Sequence, residues 1–331
     1  MGVDLKSVTA SLRTFIGATR KLPIIEITRK LRETTLSVIT PDAKIVESFG
    51  EDCAVIDIGD KEKFLLFKAE EMWHDLVNSD PKFAGYCSVL AAVNDVSVKG
   101  GTPVAMVDTL ASASTDIRDR IVEGIVNGCM KFNVPAVGGH LNPDAPFNSL
   151  SVAMIGIVQK NSLLRSSTAT TGDLIMVAID LDGHFHNTFK LAWDTTSHKS
   201  KVEVANVLNS VREVAYSRAS TAAKDVSNPG IVGTLGMLLH ASNAGGVINL
   251  NEIPMPQGVD MDRWLKAYPG FGVVATIHPK MEKICLSIFR KHGVEARIVG
   301  KVDNSSKLVI TDGRSSAEVF DFRKDRLSGK P

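Results

Sequence analysis

The stretch NSDPKFAGYCSVLAAVNDVSVKGG, residues 78 to 101, constrains the fold more than any other. Asp80 suits a helix N-cap, Pro81 the first helical position, and Gly100-Gly101 supply the stop. Between these signals Phe83, Cys87, Leu90 and Ala91, then Val98, lie roughly on one face of a long and mostly buried helix. Asp95 falls inside it, flanked by Ala, Val and Val. A carboxylate in such a place is costly unless it is paired, hydrogen-bonded or bound to a metal.

Other acids of the first half also fall at the ends of regular elements. Glu51 and Asp52 head an apolar alternating run in SFGEDCAVIDI, and Glu70 and Glu71 end the strand FLLFKAEE. In the second half Asp225 sits in AAKDVSNPG, just before a helix opened by Asn228-Pro229. Adjacent carboxylates repel, so Glu51-Asp52 is either a solvated turn or the seat of something positive. Taken singly, each such acid is more often a cap or turn residue. The set, ending successive strands and one buried helix, points to a shared cation. Hard oxygen donors without a histidine or cysteine cluster suit Mg²⁺, which completes its shell with water and substrate phosphates.

The sequence has no GxxxxGK[ST] stretch, which excludes a P-loop. The glycine turns KGGTP (99 to 103) and VGGHLNPD (137 to 144) either let backbone N–H groups approach phosphate or mark plain turns. Lys68 lies two residues before Glu70 and shares its side of the strand, which an ion pair with a neighbouring acid also explains. Lys99 reads as phosphate-facing or as a lysine complementing the dipole of the helix it ends. His184 and His186 in GHFHN alternate as ligands on one strand face would, while a polar loop or solvated turn is the plainer reading. Trp73-His74 follows Glu70 as a candidate substrate contact.

Composition narrows the class. The 331 residues are 44% hydrophobic and 23% charged, an ordinary globular balance with room for two domains. A net charge of +1 without long like-charge runs argues against nucleic acid and membrane partners. No apolar run approaches the ~20 residues that span a bilayer, and the N-terminus lacks an apolar signal core, so a cytoplasmic protein is expected. The four cysteines have no CxxC spacing and read as small buried hydrophobes. Strands and helices mix in both halves with few clean βαβ units, which predicts two α+β domains. The polar segment QKNSLLRSSTATTGD divides them, giving 1–160 and 161–331.

The order GEDCAVI, a strand ending in an acid, AAVNDVSVKGGTP, VGGH, RSSTATTGD and AAKDVSNPGIVGTLGMLLHASNAGG resembles the AIR synthase (PurM-like) superfamily over about residues 45 to 300. That group includes thiamine-monophosphate kinase, selenophosphate synthetase and a hydrogenase maturation factor. DLDGHFHNTFKLAWDTT and RWLKAYPGFG look most like AIR-synthase-related proteins, especially the set called methanogenesis marker protein 2. The resemblance implies two α+β domains and a homodimer whose N-terminal mixed sheets join in a barrel, with ATP and Mg²⁺ in the cleft. It assigns Glu51, Asp52, Glu70, Asp95 and Asp225 to metal. It matches Arg165, Gly138 and Gly139 to phosphate-side positions; Lys68, Asn94 and Lys99 are further candidate ATP contacts, and Lys21 and His140 are catalytic candidates.

Three departures bear on function. Glu51 and Glu70 stand where the family has Asp, so each carboxylate reaches one methylene further. His140 matches selenophosphate synthetase rather than the kinase, and AAKDVSNPG lacks the family's usual second Gly or Asp. No reactive Cys or Sec precedes Lys21, which argues against selenium chemistry. The expected activity is attack on an ATP phosphate by a small-molecule substrate, giving a phosphorylated product or intermediate. Two alternatives stay open: a nucleotide-binding assembly or maturation partner without turnover of its own, and a thiamine-monophosphate kinase-like phosphotransferase.

Overall fold

The computed structural model describes residues 4–20, 22–35 and 42–328. Three helices come first: α1 (Leu5–Thr14), α2 (Ile16–Thr19) and α3 (Leu22–Thr35). Then follow β1 (Lys44–Glu47), β2 (Ala54–Asp57), β3 (Lys63–Glu71), α4 (His74–Ser79), α5 (Pro81–Val98), β4 (Thr102–Ala111), α6 (Thr115–Phe132), β5 (Ala136–Asn142) and β6 (Ser149–Gln159). The six strands form one sheet in the order β1-β2-β3-β6-β4-β5, antiparallel except where β4 meets β5.

The second half contains β7 (Leu174–Ile179), β8 (His184–Phe185), β9 (Ala192–Asp194), α7 (Lys201–Tyr216), β10 (Ala222–Asp225), α8 (Gly230–Ala241) and β11 (Gly245–Asn249). It continues with α9 (Met261–Leu265), β12 (Tyr268–Pro269), β13 (Gly272–Ile277), α10 (Glu282–Lys291), β14 (Glu295–Asp303), β15 (Lys307–Thr311) and β16 (Ser316–Asp321). Its main sheet runs β10-β13-β7-β14-β11-β15-β16, and β12-β9-β8 make a small one. The architecture is the expected α+β.

Side-chain alternation explains the layering. In β6, Leu150, Val152, Met154 and Val158 are buried against the helices, while Ile155 and Ile157 on the other face are half-buried. The strand β7, LIMVAI, is apolar throughout because both its faces are covered. Met176 and Ala178 join the core shared with α5, α7 and the first sheet, whereas Ile175, Val177 and Ile179 join a second core under α8. Leu5, Val8 and Leu12 of α1 belong to that second core, and Arg13 reaches the Val319 carbonyl at 2.6 Å and Asp325 at 3.1 Å. The start of the chain is thus fastened to its end.

The helix α5 positions the site. Asp80 caps it through the Phe83 N–H at 3.2 Å, and it stops at Gly100, whose φ of 76° needs glycine. It lies between the two large sheets and is tied to the second half by Tyr86 Oη on Thr196 Oγ1 (2.8 Å) and Asn94 Nδ2 on the Gly270 carbonyl (2.9 Å). Its crossing with α6 is close enough that a Cβ on Gly124 would lie 1.9 Å from the Lys82 carbonyl oxygen. Gly124→Ala is therefore expected to lower stability by about 1–3 kcal/mol, outweighing the ~1 kcal/mol gain in helix propensity. The check is the midpoint of urea unfolding, which should fall.

The outer face of the first sheet is uncovered. Phe67 of β3 and Val107 of β4 are 46% and 40% exposed there, beside half-buried Leu65, Ile155 and Ile157. All four cysteines are free, with Cys53 and Cys285 buried. Among the described residues, no helix is long and apolar enough to cross a membrane.

Candidate metal centre

Three elements that are distant in sequence meet at one point: the turn before β2, the last turns of α5 and the end of β10. They bring Asp52, Asp95 and Asp225 together, all buried, with one carboxylate oxygen of each within 4.8 Å of the others. Glu51 and Glu70 stand outside this trio. Glu51 turns toward the 166–167 turn, accepting from Lys99 Nζ (2.5 Å), the Ser166 N–H (2.8 Å), Ser166 Oγ (2.6 Å) and Ser167 Oγ (3.3 Å). Glu70 is joined to the trio through Lys68, whose Nζ is 2.9 Å from Glu70 Oε2 and 2.8 Å from Asp95 Oδ2.

Lysines are what first sits between the adjacent acids. Lys99 is fully buried and lies 3.3 Å from Asp52 Oδ2 while donating to Glu51, so it does more than complement its helix dipole. Lys224 donates to Asp52 Oδ1. Sequence reasoning missed Lys224 as well as Ser166 and Asn228. The signal for Lys224 was present: a lysine in the small-residue strand AAKD is as costly to bury unpaired as Asp95.

The compensation is incomplete. Five carboxylates (Glu51, Asp52, Glu70, Asp95, Asp225) face three ammonium groups (Lys68, Lys99, Lys224), leaving a formal −2. Burial works against charge on Asp52, but Lys224 and Lys99 outweigh it and hold its pKa below the usual carboxylate range. Burial pushes Asp95 up, and Glu70 and Asp52 add to this against Lys68. Burial, the charges of Asp95 and Asp52 and a hydrogen bond to Asp95 together raise Asp225 well above the ordinary carboxylate range. Asp52 Oδ2 is buried and makes no hydrogen bond, with the Lys99 ammonium at ion-pair distance, 3.3 Å. A buried carboxylate oxygen with no hydrogen bond, a carboxyl whose charge is disfavoured by its acidic neighbours and a formal surplus of −2 all fit one hard divalent cation bound through oxygen.

A cavity of about 160 Å³ opens on the trio, walled also by Lys68, Lys224, Asn228 and, from α3, Ile25 and Thr28. An adjoining pocket of about 130 Å³ shares Glu70, Asp225 and Asn228 and is lined by Trp73, Phe83, Phe189 and Tyr268. Trp73 forms its wall, donating through Nε1 to Asn228 Oδ1 at 3.2 Å, with the Arg20 guanidinium 4.0 Å from its ring centre. Asn94 also lines it; its Nδ2 is committed to Gly270 and its Oδ1 is buried without a partner.

The remaining expected residues are not gathered here. Arg165 is paired with Glu47 at 2.6 Å. Gly138, Gly139 and His140 lie exposed on the edge strand β5, where register places Gly139 three strands from Glu70, about 14 Å away. Lys21 lies outside the described residues. His186 stacks on Phe83 at 3.7 Å, and neither it nor His184 joins a metal-binding group among the described residues.

Comparison with known proteins places the chain in a family and a fold. The profile for "AIR synthase related protein, N-terminal domain" matches residues 50–158, and that for "AIR synthase related protein, C-terminal domain" matches residues 170–313. Uncharacterized protein MJ0640 of Methanocaldococcus jannaschii is 40% identical over 329 residues, covering 99% of this chain and 100% of its own. T. maritima PurL complexed with ATP superposes with a TM-score of 0.70 at 19% identity over 82% of this chain, which spans 46% of that protein's length. AaThiL complexed with AMPPCP and TMP gives 0.66 at 15% identity, covering 91% of this chain and 97% of its own. At these identities the structural likeness concerns the fold, the two-domain PurM-like architecture. The chain belongs to the AIR synthase-related protein family of the PurM-like superfamily.

Proposed function

We propose that the protein is an ATP- and Mg²⁺-dependent enzyme that phosphorylates or activates a small-molecule substrate by attack on an ATP phosphate. The observation that carries this reading is the buried trio Asp52, Asp95 and Asp225, whose formal negative charge the neighbouring lysines do not fully offset. PurL and AaThiL, solved with ATP and AMPPCP, lend support at the level of the fold. A bound Mg²⁺ would neutralise phosphate charge, the chief requirement of phosphoryl transfer. Asp52, Asp95 and Asp225 would hold it, with Glu70 and Glu51 completing the acidic wall. Lys68, Lys99 and Lys224 keep the carboxylates in place and leave the cavity's charge close to that of one divalent ion. The aromatic pocket at Trp73 would receive the organic part of a substrate, with Asn94 Oδ1 as an acceptor for nucleotide or substrate.

In this reading residues 1–160 form the nucleotide and dimerisation domain and 161–331 close the cleft. The exposed apolar face of the first sheet would be covered by the same face of a second copy. A Phe67→Glu substitution is expected to convert the dimer to monomer, as read by sedimentation velocity; an unchanged species would remove that face as the interface. Gly138, Gly139, Arg165 and the catalytic candidate His140 would then act from beyond the trio, where a joined pair of sheets brings edge and face residues near a cleft.

A second reading, a nucleotide-binding assembly partner without its own turnover, draws on the lysines, which already compensate most of the acids. ADP release, followed in a coupled assay with magnesium-ATP and panels of phosphate esters, amides and carboxylates, separates the two. Acceptor-dependent release supports the enzyme. Magnesium-ATP binding with no release under any acceptor supports the partner.

A further inference from the structure

A second cavity is the electrostatic opposite of the first. It encloses about 490 Å³, within the size range of small-molecule sites. The helix α3 contributes to both cavities: Ile25 and Thr28 to the acidic one, Ile25, Arg29 and Arg32 to this one. Arg323 and Arg326 from the chain's end complete a wall of four guanidinium groups against the single carboxylate of Glu33. Arg29 is 3.3 Å from Glu33, and Arg323 is 2.7 Å from Asp321. No ion pair or hydrogen bond engages Arg32 or Arg326 among the described residues.

His240 shares this wall. Its Nδ1 faces the Leu327 N–H at 3.3 Å and the Ser328 N–H at 3.1 Å, so it accepts, and the neutral ring carries its proton on Nε2. Burial and the neighbouring Arg326 charge hold this imidazole below its ordinary pKa. The ring is therefore a neutral N–H donor among arginines. Uncompensated guanidinium groups gathered in a concave site have a matching ligand in phosphate, whose oxygens accept their forked N–H pairs.

We propose that this cavity binds the phosphate of a phosphorylated small molecule through Arg32, Arg326 and the His240 N–H, at a site separate from the acid trio. It needs no metal and does not depend on the reading of the trio. The molecule's overall charge of +1 and the cavity's small-molecule volume favour a small ligand over a polyanion.

The test is calorimetric titration of inorganic pyrophosphate into the full chain in EDTA, so that no metal-pyrophosphate complex can use the acids. Saturable binding is expected, weakened about tenfold or more in Arg32→Ala/Arg326→Ala. That variant should retain its melting temperature and its magnesium-ATP affinity. Arg326→Gln alone, exposed and unpaired, should show a smaller loss and serves if the double variant misfolds. Asp95→Asn should keep pyrophosphate binding, so failure of the trio reading and failure of this one are distinct. The proposal is overturned if wild type shows no saturable binding, if the arginine variants bind like wild type, or if Asp95→Asn loses the binding.

Discussion

Replacing Asp225 by Asn is expected to raise the melting temperature of the magnesium-free protein and, in the same variant, to abolish magnesium-dependent nucleotide binding. The two effects have one cause. Burial, together with Asp95 and Asp52, holds the Asp225 pKa well above its ordinary value. A carboxyl raised in the folded state contributes stability below its unfolded pKa, near about 4, and that contribution is lost as pH rises toward the folded pKa. At neutral pH the unfolded chain gives up this proton readily, so the group opposes folding. Asn keeps the shape without that penalty, and a gain on the order of a few °C is expected. The gain should shrink as the melt is repeated toward pH 4. Metal binding, which needs the oxygen anion, should fall with the same substitution. Differential scanning calorimetry in EDTA, at several pH values, checks the first half. A variant that melts lower than wild type at pH 7 would mean Asp225 is held by pairing rather than strained by crowding.

Lys99→Met is expected to have the opposite and larger effect on stability. Lys99 is fully buried, and removing its ammonium leaves Glu51 and Asp52 adjacent with one positive partner fewer. Breaking a buried pair on one side costs about 3–5 kcal/mol, a large share of a typical 5–15 kcal/mol total. The double variant Lys99→Met/Glu51→Gln should recover much of the loss, because the stranded charge goes with it. Burial works against the charge on Lys99, but Asp52 and Glu51 outweigh it and hold its pKa above the ordinary lysine value. A raised lysine keeps its contribution until pH passes the folded pKa, so the penalty should be flat between pH 6 and 9. Chemical denaturation of the three proteins across that range is the check. A double variant no more stable than the single would mean that Lys99 acts through packing, not charge.

Much of this site was legible in the sequence, and for a physical reason. Asp95 lies in an apolar helix with clear start and stop signals, so its burial and its need for partners follow from local pattern. The structure places that helix between the sheets and brings Asp52 and Asp225 to it. The helix caps were equally readable, since Asp80 and Gly100 act on their own neighbours in sequence. What was not legible depended on chain segments far apart. Glu51 is drawn to Ser166 and Lys99 rather than to the trio, a choice set by the turn at 166–167 arriving from more than 100 residues away. Lys224 pairs with Asp52 across 172 positions of sequence, and the basic cavity joins α3 to residues 322–326. The attachment of α1 to the second core is of the same kind, because an amphipathic helix does not name the face it will cover.

The most direct measurement is calorimetric titration of ATP with and without Mg²⁺, on the wild type and on Asp95→Asn. The account predicts magnesium-dependent binding to the wild type and a loss of at least about 100-fold in the variant, whose trio can no longer present three carboxylates. Equal binding with and without Mg²⁺, or an Asp95→Asn variant that binds magnesium-ATP as the wild type does, would contradict it.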